Sequence, residues 1–123
     1  MRNEDILGLN VKKGLSAISN NKKMYIKLLK SFIVNNYCDQ LLDAIGRADS
    51  EQIMKKAHTL KGVAGNLHMT GIYELSNGIE TDARAGKPVP AAGAQVEGLI
   101  SAYKTTVESI NMIIQNPGIL DEL

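Results

Sequence analysis

Apolar residues in this chain recur at helical spacing wherever they cluster, and the alternation of apolar and polar residues that marks a half-buried strand is nearly absent. Ile53, Ala57, Leu60, Ala64 and Leu67 follow one another at intervals of four, three, four and three. At about 100° per residue they fall within about 40° of one line, the buried seam of an amphipathic helix. Tyr25, Leu28, Leu29, Phe32 and Ile33 form an earlier apolar face that drifts to Cys38, Leu41, Leu42 and Ile45. Ile72, Leu75, Ile79 and Ala83 form a later one, and Val96, Leu99, Ile100, Tyr103, Val107, Ile110 and Ile114 a last, long one.

The boundaries follow from caps and breakers. A short helix is expected near Val11 to Ser19, stopped by Asn20-Asn21. Asn35 and Asn36 fall where the second face shifts, so a helix bends there or two helices meet; the reading adopted is one long, slightly bent helix ending near Gly46. Asp49 or Ser50 offers an N-cap, with Gln52 placed for a capping box if Asp49 is the cap. Thr70 is expected to cap the next helix and Gly86 to end it, Pro90 to sit in the first turn of the last helix, and Asn116-Pro117-Gly118 to stop that helix. The pattern predicts an all-α fold, an antiparallel four-helix bundle with a short extra N-terminal helix. It is read as one domain over residues 1–123, with frayed ends at 1–5 and 116–123.

Composition narrows the function classes. A chain of 123 residues with fourteen Lys and Arg against thirteen acidic residues, a formal charge of +1, has no basic stripe for nucleic acid. Cys38 is the only cysteine, so neither an intrachain disulfide nor a cysteine zinc cluster is available, and the reducing cytoplasm is the expected compartment. No stretch approaches a bilayer span and no apolar leader follows Met1, so a soluble, unprocessed chain without membrane insertion is expected. The terminal Asp121-Glu122-Leu123 lacks the lysine of a retention signal. A glycine-rich phosphate loop is missing, which argues against kinase activity or ATP binding. With two histidines, neither preceded by Glu at three residues, a metal- or ligand-binding bundle is poorly supplied.

His58 lies roughly 140° around the helix from the apolar seam and is expected to be wet. Lys61 and Gly62 are its next-turn neighbours, and Gly65 follows on the same side. Two glycines inside a helix cost about 1 kcal/mol each against alanine. Either they leave room for something bulky to approach the imidazole, or they allow close packing with a neighbouring helix.

The run His58-Thr59-Leu60-Lys61-Gly62-Val63-Ala64-Gly65-Asn66-Leu67 closely resembles the signature of histidine-containing phosphotransfer (HPt) domains of multistep phosphorelays. The likeness extends to Gly8-Leu9-Asn10-Val11, Gly14-Leu15 and Tyr25 to Phe32 upstream and to Leu75 and Ile79-Glu80 downstream, about residues 8 to 86. The resemblance implies a relay intermediate without kinase activity of its own. His58 would accept a phosphoryl group from a receiver-domain phospho-aspartate and pass it to another receiver, with a hybrid sensor histidine kinase and response-regulator receiver domains as partners. It implies no cofactor for this chain; any Mg²⁺ would belong to the receiver. A monomer is the default expectation.

In that family Nε2 attacks, and Nδ1 is held by a Glu or Gln twenty-two residues on, here Glu80. Lys61 would supply charge to the phosphoryl oxygens; its alternative is a solvated helix lysine. The alternative for Glu80 is a surface pair with Arg84. Arg84, Lys55, Lys56 and Lys87 are candidates for docking an acidic partner. The family usually has glycine where this chain has His68. That imidazole is read as narrowing partner choice, clashing with some receivers, or being accommodated because Gly71 relocates the turn. His68 also raises a second reading, a helical adaptor with an HPt-like fold that does not transfer. His58 and His68, ten apart, are about 80° out of register and are not natural co-ligands.

Overall fold

The computed structural model describes residues 5–6 and 8–122. Of the expectation of fraying at residues 1–5, residues 1–4 lie outside the described residues, while Asp5 pairs with Asn10. The chain opens with a minimal antiparallel pairing of β1 (Asp5–Ile6) with β2 (Leu9–Asn10), and Asn10 then caps the short helix α1 (Val11–Ser16) through its side chain. Helices α2 (Lys22–Asn35), α3 (Tyr37–Gly46), α4 (Ser50–Asn66), α5 (Thr70–Arg84) and α6 (Ala94–Gln115) follow. The fold is all-α apart from that pairing. Its four-helix core consists of α2 with α3, then α4, α5 and α6; α4 packs between α3 and α5, and α6 lies against α5 and α2. Among the described residues no helix is long and apolar enough to cross a membrane.

The α4 seam is buried at every position read from the sequence: Ile53, Ala57, Leu60, Ala64 and Leu67. Other expectations are corrected. The second face is carried by two helices, because Asn36 takes a left-handed conformation (φ 53°, ψ 38°) that asparagine tolerates better than most residues. Gln40 closes the break by donating from Nε2 to the Asn35 carbonyl at 2.9 Å. Thr70 is not a cap: Met69 holds the N-cap position of α5 without a side-chain hydrogen bond. Pro90 lies before α6, in a turn where the Gly93 N–H donates to its carbonyl, and Gly93 is the N-cap. In α6, Ile100 is exposed while Thr106, Ser109 and Ile113 turn inward. Pro117–Glu122, expected to fray, forms a 3₁₀ turn that buries Leu120 and pairs Asp121 with Lys22.

The ends of α3, α4 and α5, like the turn Ser19-Asn20 that follows α1, share one solution. After α3, α4 and α5 a residue with positive φ (Ala48, His68, Gly86) donates three residues back, and its successor donates five back. These are the paired bonds of the Schellman motif. After α3, Asp49 accepts from the Gln52 N–H at 3.2 Å and so caps α4 as expected. Its own N–H donates to the Ala44 carbonyl, so the reciprocal half of a capping box is not needed.

Candidate functional site: a carboxylate shared by three cationic groups

The apolar seam fixes the rotation of α4 and so turns His58 outward, with its side chain 67% exposed. On α5 the stripe Tyr73, Asn77, Glu80 and Arg84 repeats at four, three and four, beside the buried seam. The two helices pack so that Glu80, 3% exposed, reaches the His58 ring. His58 Nδ1 lies 2.8 Å from Glu80 Oε2. Arg84 Nη2 donates to the same oxygen at 2.7 Å, and Lys61 Nζ meets Oε1 at 2.6 Å.

Burial alone would raise the Glu80 pKa; the hydrogen bonds from Lys61, Arg84 and His58 outweigh it and hold the carboxyl down at about 2. An ionised carboxylate only accepts hydrogen bonds. Nδ1 therefore carries the proton, and Nε2, at the far edge of the ring, has no hydrogen-bond partner among the described residues. The cleft in front is lined by His58, Lys61, Asn77, Glu80, Thr81 and Arg84.

The structure separates the two glycines. A Cβ on Gly62 would meet nothing within 4 Å, so the space next to the imidazole is open. A Cβ on Gly65 would stand 3.3 Å from the Tyr73 ring, the close-packing alternative realised.

His58, Lys61, Glu80 and Arg84 are thus brought together, whereas His68 lines a separate cleft with Asn10, Lys13, Gly65 and Tyr73. Its backbone is left-handed at φ 54°, the conformation glycine would take without cost. Gly71 does not relocate the turn, since it lies within α5.

The remaining basic candidates are dispersed. Lys55 closes on Glu51 at 3.0 Å, Lys56 donates to Gln40 at 3.0 Å, and Lys87 lines a different groove with Pro88 and Val89. Both contacts weighed for Glu80 exist at once, the ring and Arg84, but the acid is buried rather than at the surface. What the sequence reading missed is that Lys61 also spends a donor on Glu80, beside Arg84, and that Tyr73 backs Gly65. Among the described residues no cluster of three or more His, Cys, Asp or Glu could hold a metal ion.

A family model described as the Hpt domain matches residues 34–110, starting later and reaching further than the likeness seen in the sequence. The crystal structure of the HPT domain from the Hpt sensor hybrid histidine kinase of Shewanella is similar at a TM-score of 0.78. The match covers 90% of this chain and 97% of that one at 16% identity, so the likeness is one of fold. A search of curated proteins finds no match.

Proposed function

The chain belongs to the HPt domain family, whose members are phosphotransfer intermediates of phosphorelays rather than catalytic enzymes, and from that premise we propose that His58 is its phosphoacceptor. The observation that carries this is the tether of Nδ1 to an ionised, buried Glu80, which leaves Nε2 as the outward nitrogen of a ring whose side chain is 67% exposed, beside an uncovered Gly62. A nucleophilic imidazole needs its second nitrogen protonated and held.

The donor in this reading is the phospho-aspartate of a receiver domain. As Nε2 bonds to phosphorus, the bond from phosphorus to the aspartyl oxygen breaks and its electrons return to the aspartate carboxylate. The ring keeps its Nδ1 proton and becomes formally cationic, and Glu80 at 2.8 Å stabilises that charge. One Lys61 proton is used on Glu80; the ammonium has two more to offer to phosphoryl oxygens. Passing the group to a second receiver is the same exchange in reverse, and the partners set its direction. A hybrid sensor histidine kinase is the upstream source in this account, and any Mg²⁺ belongs to the receiver.

The test is a transfer panel: mixing the chain with phosphorylated receivers should give acid-labile, base-stable label on this protein. A chain that binds receivers yet never takes label would instead be a non-transferring adaptor.

A further inference from the structure

A carboxylate beside an imidazole, acting alone, favours the imidazolium. An imidazolium has no lone pair on Nε2, so an isolated Glu80–His58 pair would suppress the nucleophile that it orients. The pair is not isolated. Lys61 holds Oε1 at 2.6 Å and Arg84 holds Oε2 at 2.7 Å, so two fixed positive charges stand on the one negative charge.

We propose that Lys61 and Arg84 are positioning residues which, acting through Glu80, keep Nε2 of His58 unprotonated and ready to attack. With a neutral ring the four groups carry one net positive charge. A proton on Nε2 would raise this to two, in a cluster whose centre is buried, and that is disfavoured. A phosphoryl group arriving as PO₃⁻ would lower it to zero. The same two cations therefore oppose the proton and favour the phosphoryl group; this second half rests on His58 being the phosphoacceptor, while the first rests on the geometry alone. The other charged group near the ring is Lys55 on α4, closed on Glu51 at 3.0 Å. Facing the ring from α5 are Glu80 and Arg84, with the uncharged Asn77 and Thr81.

The experiment is a pH titration of the His58 ring nitrogens by ¹H–¹⁵N spectroscopy on the full chain with ¹⁵N-histidine, with phosphoramidate labelling measured in parallel. Arg84 is 62% exposed and its removal should leave the fold intact. In Arg84→Met the pH at which Nε2 takes a proton should rise measurably above that of the wild type, and Arg84→Lys should restore most of the difference. Lys61→Met should move it the same way. Unchanged midpoints in both methionine variants would overturn the proposal. If the midpoints move as expected while even the wild type takes no label, the control of the proton stands and the phosphotransfer reading fails.

Discussion

His58 and Glu80, twenty-two residues apart on adjacent helices, meet at 2.8 Å, with one group exposed and the other buried. The contact fixes which ring nitrogen holds the proton. It also sets the charge of Glu80 against three hydrogen-bond partners, His58, Lys61 and Arg84, each of which is a cation or can become one.

The pH dependence of stability should report this directly. The Glu80 carboxyl lies at about 2 in the folded chain against an ordinary 4.5, so between those values the unfolded chain binds the extra proton and stability rises with pH. The contribution is complete above about 4.5 and is lost as pH falls toward 2. Urea midpoints of wild type and Glu80→Gln should therefore differ most above that window and converge below it. A pH-independent gap would show that the acid contributes by shape alone.

Lys61→Ala should slow phosphoryl uptake and also destabilise the fold by about 1–3 kcal/mol, because a buried carboxylate loses a charged donor. A Lys61 that served only the phosphoryl oxygens would change the melting temperature little on removal. Its 2.6 Å contact with Glu80 reverses that expectation. Thermal melts beside labelling rates would decide.

How much of this was legible in the sequence depends on whether the cause is local. The α4 seam and the outward turn of His58 come from helical periodicity, which any stretch of chain displays by itself. The inward turn of Thr106, by contrast, depends on a partner distant in sequence. Gly8 has a φ of +86° and lies so near α6 that a Cβ there would stand 2.6 Å from Thr106 Oγ1. Likewise the twenty-two-residue spacing suggested the Glu80 contact only through family likeness. Arg84 closes on Glu80 within α5, but that Lys61 reaches the same carboxylate depends on how α4 and α5 pack.

The two glycines should respond differently. Gly62→Leu enters open space, so it should keep or raise stability by up to about 1 kcal/mol through helix propensity while impairing transfer. Gly65→Ala gains the same propensity but presses on the Tyr73 ring at 3.3 Å, and its net effect on the melt should be smaller or of opposite sign. Equal stabilisation by both, with transfer intact, would reject the reading of Gly62 as an access point.

His68→Gly should relieve a left-handed backbone that costs a side chain roughly 1 kcal/mol. Labelling by phosphoramidate should stay unchanged, since His68 lines a separate cleft from His58. Faster transfer with at least one receiver that reacts poorly with the wild type would make His68 a determinant of partner choice. Identical rates with every receiver would leave it as a residue tolerated in the turn.

The most direct measurement is the site of the phosphoryl group. After incubation with a phosphorylated receiver, mass spectrometry under neutral conditions should place the modification on the peptide containing His58. The variant His58→Gln, which changes an exposed side chain and should fold normally, should take no label. Undiminished labelling of His58→Gln, or modification mapped to His68, would contradict the account.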